Sequence, residues 1–294
     1  MKKQTIAAKT LAFVVASVLL FLSANSHAGD SSTPSRSFSV EKHGHGSPVI
    51  LIPGLACSGA VWEQTVAALQ AKHECHVLTL AGFAGQPAIS ASLLKAVPED
   101  LAKYIDSEKL VKPAIIGHSM GGFIALSTAA KYPGKIGSII VVDSLPFFGG
   151  LQPGATIAQA KESAETMRGM MDHQSKDEFL AQSKQTLAYM VTGEEGQKKA
   201  FDWMSKSDQH TVANSFADLF ATDLRPELPK IRTRALIIEA GAEVGAVPEE
   251  TYKQQYKGLE GVKLVRVKGA KHFIMFDQPD VFLSNVKSFL DPEK

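Results

Sequence analysis

The amino-acid sequence predicts an α/β fold, a mostly parallel, doubly wound sheet that carries a helical insertion. Three observations predict it. Short apolar runs bounded by turn residues alternate with segments of helical spacing, a rhythm that needs crossover connections and a sheet covered on both faces. The rhythm stops between Phe147 and Pro229, where helical segments follow one another with no convincing buried strand. It then returns for two more strand–helix pairs before the C-terminus.

In chain order, Ser31 to Ser37 is Ser/Pro-rich and reads as a leader into the fold, and Ser37 to Glu41 alternates like a short strand. His43-Gly44-His45-Gly46 is a surface turn, because no further ligand residues cluster near its two histidines. Val49 to Ile52 is a doubly buried strand that ends in Pro53-Gly54-Leu55-Ala56-Cys57-Ser58-Gly59. A helix over Ala60 to Gln70, a strand over His76 to Leu80 and a glycine loop from Ala81 to Pro87 follow. Ser92 to Ser107 places Leu94, Val97, Leu101 and Ile105 on one helical side.

Pro113 to His118 is the next apolar run, and Ile139 to Val142 the one after it, delivering Asp143. Within the insertion, Ala158–Met171, Lys176–Met190, Glu195–Met204 and Val212–Leu219 have helical spacing. Such an insertion lies as a lid over the C-terminal edge of the sheet. Ala235 to Glu239 resumes the sheet, Glu249 to Gly258 is helical, and Val262 to Val267 is the last strand. Pro279 to Leu290 closes the chain as an amphipathic helix with Val281, Phe282, Val286 and Phe289 inward.

The N-terminus has its own grammar. Lys2 and Lys3 precede an uncharged apolar run from Leu11 to Leu22, and small residues lead to Ser26-His27-Ala28, the layout of a secretory signal cleaved after Ala28. The run falls short of the roughly twenty residues that span a bilayer. The expected organisation is therefore a signal peptide over 1–28, a core domain over 29–146, a lid over 147–230 and the rest of the core over 231–294. The expected product is exported, periplasmic or secreted, with no stable membrane anchor once the signal is removed. With 31 basic against 30 acidic residues, the chain implies no nucleic-acid partner. Cys57 and Cys75, its two cysteines, fall at opposite ends of neighbouring strands, too far apart to pair.

Chemistry concentrates at Gly117-His118-Ser119-Met120-Gly121-Gly122, set between an apolar strand and an alanine-rich helix. A serine on a sharp strand-to-helix turn needs glycine neighbours, and the helix N-terminus beside it favours developing negative charge. Ser119, Asp143 and His272 each follow a strand, so all three arrive at the C-terminal edge, where ligands bind in parallel sheets. In this the chain resembles the α/β-hydrolase superfamily, most closely its lid-bearing serine esterase and lipase-like branch. The resemblance rests on the Gly117–Gly122 motif, the Pro53-Gly54-Leu55 loop and His272 before the closing helix. It implies hydrolysis of an ester or related acyl bond through an acyl-serine intermediate, with no cofactor or metal.

The residues supply the parts that such chemistry needs. Serine is a poor nucleophile at neutral pH, and the His272 imidazole is the natural base. The amides of Leu55 and Met120 are the expected oxyanion donors. His118 packs beside the nucleophile, and His73, His76, His173 and His210 read as surface or helix residues. The acid has two candidates. Most members of the superfamily carry an Asp after the strand corresponding to Ala235–Glu239, yet that loop here reads Gly241-Ala242-Glu243-Val244-Gly245-Ala246-Val247-Pro248. Either Glu243 or Asp143 backs the histidine, and Asp143 is preferred because it stands directly at a strand end. Phe147, Phe148, Met167, Met170, Met171, Met190 and Trp203 offer the pocket an apolar lining for a small to medium ester-like molecule. A thioesterase, lactonase, acyltransferase, carbon–carbon bond hydrolase or non-catalytic exported binding protein would read the same way.

Overall fold

The computed structural model describes residues 37–292 apart from 152, 153 and 155. The signal segment, its cleavage point and most of the Ser/Pro-rich leader lie outside the described residues. Seven strands form one sheet: β1 (Phe38–His43), β2 (Ser47–Ile52), β3 (His73–Leu80), β4 (Ala114–His118), β5 (Ser138–Val142), β6 (Arg234–Gly241) and β7 (Lys263–Lys268). Their spatial order is β1-β3-β2-β4-β5-β6-β7, with β1 antiparallel to β3 and every other pair parallel. β4 and β5 are buried at every residue, as uninterrupted apolar runs must be in a sheet covered on both faces.

The two faces divide the core by strand alternation. Ile50 and Ile52 point into one cluster with Phe123, Leu126 and Tyr252, whereas Val49 and Leu51 point into another with Trp62, Phe282 and Val286. The first cluster packs α2 (Leu93–Ser107) and α3 (Met120–Lys131), and the second packs α1 (Glu63–Leu69) and the C-terminal helix. From β2 the chain crosses outward to β3, and from there it returns to β4 on the other side of β2. The connections leaving β2 and β4 therefore diverge, which opens a crevice at their C-terminal ends. The loop after β2 carries Leu55, and the turn after β4 carries Ser119.

Between β5 and β6 stand α4 (Ile157–His173), α5 (Lys176–Met190), α6 (Glu194–Ser205) and α7 (Gln209–Ala221). Capping boxes start the first two: Thr156 with Gln159, and Ser175 with Glu178. After β6 come α8 (Glu249–Gln255), then, beyond β7, the single turn α9 (Ile274–Asp277) and α10 (Pro279–Leu290). Pro279 begins α10 because proline at a first helical position has no amide hydrogen to leave unpaired.

Several expectations need correction. Val281 is exposed, and the inner face of α10 is formed by Phe282 and Val286 with Leu283, Phe289 and Leu290 beside them. His73 and His76 are buried strand residues: β3 begins three residues before the expected strand because its first half pairs with β2, Ser47 opposite His73. His76 Nδ1 lies 2.7 Å from Tyr104 Oη, and His73 Nε2 lies 3.3 Å from Asp291 Oδ2. His173 and His210 are exposed helix residues as read. Cys57 and Cys75 are unpaired.

Candidate active site

Ser119 sits at φ 53°, ψ −120°, in left-handed backbone that non-glycine residues rarely adopt. Its neighbours explain why the turn is built from glycine. A Cβ on Gly117 would come within 2.2 Å of the Gly121 carbonyl oxygen, and one on Gly121 within 2.3 Å of the Ile52 carbonyl oxygen. Both obstacles are backbone, so neither can move aside. The Ser119 amide donates to the Val142 carbonyl at 2.8 Å, which ties the turn to the end of β5. The hydroxyl stands where α3 begins.

Asp143, the first residue after β5, is also in left-handed backbone, at φ 44°. Its amide donates to the Ile238 carbonyl at 2.8 Å. The carboxylate is buried and accepts from three sides: from His272 Nδ1 at 2.6 Å on Oδ2, and on Oδ1 from the Ala240 amide at 2.8 Å and the Tyr252 hydroxyl at 2.7 Å. Burial pushes this carboxyl up, but the hydrogen bond and charge of His272 with the other two donors more than offset it. The net shift is below the usual carboxylate range. Tyr252 is held well above its ordinary value by burial and by the Asp143 charge, so its phenol remains a donor.

Glu243 does not join this group. It lies exposed in the loop after β6, whereas β6 itself donates the Ala240 amide to Asp143. Nothing in the local sequence pattern marks Ala240 or Tyr252. The available signal was Tyr252 and Tyr256 four apart, a pair of polar-tipped aromatics on one helical side; the second donates to the Ser144 carbonyl at 2.8 Å. Glu239, buried at the end of β6, pairs with Arg266 Nη1 at 2.8 Å, and Arg266 Nη2 donates to the Val247 carbonyl at 3.1 Å. That pins the loop in which Glu243 stands.

His118 is buried beside His272. Its Nε2 lies 3.0 Å from the His272 carbonyl oxygen, and its ring centroid 4.6 Å from that of His272. A carbonyl only accepts, so Nε2 carries the proton and Nδ1 is bare. Burial, and then the neighbouring His272, lower its pKa to about 3, so the ring is neutral. His118 thus holds the His272 backbone in place as an uncharged donor. Cys57 Sγ reaches the Leu55 carbonyl at 3.4 Å, and burial pushes its thiol up to about 12, which leaves no thiolate to compete with Ser119.

Ser119 and His272 line one cavity of about 390 Å³ with Leu55, His118 and Cys57. Its upper wall comes from the helical insertion and is mostly apolar: Met171, Phe179, Leu187, Met190, Met204 and Phe216 are among its residues. Of the apolar residues expected there, Phe148, Met171 and Met190 face the cavity. Phe147 is buried elsewhere, Met170 is exposed, and Trp203 packs on Phe276. Among the described residues, neither the Leu55 nor the Met120 amide donates to a protein carbonyl, and Met120 heads α3. No cluster of three or more metal-ligating side chains occurs among the described residues.

A serine elbow, a hydrogen-bonded Asp–His pair from two other strand ends and an apolar cavity above them raise the question of ancestry. The sequence profile of the alpha/beta hydrolase family matches residues 49–284. The chain belongs to that family. Among similar proteins is a pimeloyl-(acyl-carrier protein) methyl ester esterase of Aliivibrio salmonicida, 24% identical over 260 residues that cover 86% of this chain and 95% of the relative. An esterase from Exiguobacterium antarcticum superposes with a TM-score of 0.75 at 21% identity, over 86% of this chain and 95% of that one. An enol-lactonase from Burkholderia xenovorans superposes with a TM-score of 0.70 at 19% identity, over 86% and 96% of the two chains. These hydrolases share the fold of the present chain.

Proposed function

We propose that this alpha/beta hydrolase is a serine esterase that cleaves small to medium, neutral carboxylic esters through an acyl-serine intermediate. One observation carries the reading: His272, hydrogen-bonded to Asp143, and Ser119 line a single, mostly apolar cavity. In the proposed cycle His272 Nε2 takes the Ser119 proton as Oγ attacks the ester carbonyl, and Asp143 stabilises the imidazolium. The Leu55 and Met120 amides receive the oxyanion. The imidazolium then protonates the departing alcohol. Water, deprotonated by the same imidazole, releases the acid from Ser119.

The acid of this triad is Asp143, on the strand next to the nucleophile's, and Glu243 is a solvated loop carboxylate. We read the insertion over residues 147–230 as the lid that excludes water from the acyl-enzyme. At roughly 30 Å³ per water-sized group, the cavity of about 390 Å³ accepts on the order of a dozen heavy atoms. No Lys, Arg, Asp or Glu lines it, which favours an uncharged substrate body. Resemblance to methyl ester esterases supports an ester with a small alcohol and a longer acyl part. The protein is proposed to act outside the cytoplasm after removal of residues 1–28, and N-terminal sequencing of the exported form should begin at Gly29. A chain-length series of nitrophenyl esters and matching thioesters tests the function: ester turnover with a maximum at medium acyl length supports it, and absence of turnover throughout contradicts it.

A further inference from the structure

Both oxygens of Asp143 are occupied, and one of the donors is a side chain that does not line the cavity. Oδ2 serves His272, whereas Oδ1 accepts from the Ala240 amide at 2.8 Å and from the Tyr252 hydroxyl at 2.7 Å. Two donors on Oδ1 mean that the carboxylate cannot turn without breaking both, so Oδ2 stays aimed at Nδ1. Tyr252 comes from α8, and α8 is fixed against the segment that follows Asp143. Gln255 bonds both backbone groups of Phe147, its Nε2 donating to the carbonyl at 2.9 Å and its Oε1 accepting from the amide at 3.0 Å.

Tyr252 and Tyr256 form a matched pair inside the molecule. Both are buried, their rings lie nearly parallel with centroids 6.3 Å apart, and they donate to consecutive residues, Asp143 and Ser144. Only the acceptor differs. Tyr256 meets a neutral peptide carbonyl, whereas Tyr252 meets a buried carboxylate, and a hydrogen bond to a charged group is roughly twice as strong as a neutral one. Other ionisable groups near the acid do not duplicate this contact: His118 is neutral, and Glu239 is paired with Arg266.

Resting on the esterase reading, we propose that Tyr252 is a positioning residue for the reaction. Acting through Asp143, it keeps Oδ2 turned to His272 and disperses part of the carboxylate charge, which sets how firmly the imidazole holds the proton it takes from Ser119.

The test measures kcat and KM against pH on a nitrophenyl ester for the natural protein, Tyr252→Phe and Tyr256→Phe. Each variant loses one buried hydroxyl, and thermal unfolding reports the cost to the fold. In Tyr252→Phe the less dispersed carboxylate charge holds the imidazolium more firmly, so the acid limb of kcat/KM moves up by about half a pH unit. There kcat falls about tenfold while KM is unchanged, because Tyr252 does not line the cavity. In Tyr256→Phe the limb and kcat keep their natural values. Placing 3-fluorotyrosine at position 252 retains the hydroxyl and strengthens it as a donor, so the limb moves down; this substitution carries the test if Tyr252→Phe does not fold. An acid limb that stays in place in both changes at 252, or that moves equally in the two Phe variants, overturns the inference and leaves the esterase reading standing. If the natural protein cleaves no ester, the esterase reading falls and this one with it.

Discussion

The strand-end rim and the helical insertion above it face each other across the cavity, and they are held by opposite means. At the rim, Ser119 and Asp143 occupy strained left-handed backbone because β4 and β5 are buried at every residue and leave the chain no other path. In the insertion, α4 buries only Ala160 and Ala164 and is stabilised by its capping box. Hydrogen bonds from the insertion to the core include the Phe273 amide to the Met190 carbonyl at 3.2 Å, Thr192 to both oxygens of Asp277, and the Asp208 amide to the Gly82 carbonyl at 2.8 Å, and α7 buries Val212 and Leu219 in the core. The proposed catalytic residues thus sit where the backbone is most constrained.

Perturbing the two regions should give effects of very different size. Ser119→Ala should lower kcat by roughly a millionfold, and Asp143→Asn by about ten-thousandfold, both measured on a nitrophenyl ester. Glu243→Gln should leave kcat unchanged, and a large loss there would reverse the assignment of the acid. Gly121→Ala sets a Cβ within 2.3 Å of a backbone oxygen and should cost about 4 kcal/mol or more in a urea titration.

On the insertion side, Asp277→Ala removes the acceptor of the Thr192 amide and hydroxyl and of the Lys271 amide. It should destabilise by about 2 kcal/mol and lower kcat, because Lys271 adjoins His272. Asp277→Asn should lose less of both. Limited proteolysis should cut α4 or α5 before any strand, and a first cut within β4 or β5 would contradict the contrast.

A more gradual effect should appear as pH is lowered. His118 is neutral in the folded protein down to about pH 3, whereas in the unfolded chain it takes up a proton below about pH 6.5. Unfolding is therefore favoured progressively between those values, by up to about 1.4 kcal/mol per pH unit. His118→Gln should flatten this limb; His76, also held down by burial, leaves part of it in place. Asp143 acts lower. Its depressed native pKa stabilises the fold above the ordinary carboxylate value near pH 4, and that contribution is lost as pH falls through the native value, so Asp143→Asn should flatten the more acidic limb.

The sheet and its order of strands and helices were legible because apolar runs, turn residues and helical spacing all report burial, which the sequence encodes directly. Ser119, Asp143 and His272 were legible because each follows a strand. What the sequence left open depended on side-chain reach. Asp143 and Glu243 both follow strands, and the His272, Ala240 and Tyr252 donors, brought in from elsewhere in the fold, separate them. The buried His73 and His76 were misread because β3 extends toward its N-terminus by pairing with β2, a tertiary effect that local polarity hides.

Covalent labelling with a fluorophosphonate probe, read by intact mass and peptide mapping, tests the central claim most directly. One adduct per chain is expected, mapped to Ser119, abolished in Ser119→Ala and strongly slowed in His272→Ala. A folded natural protein that takes no label, or a Ser119→Ala variant that takes it as readily, would contradict the account.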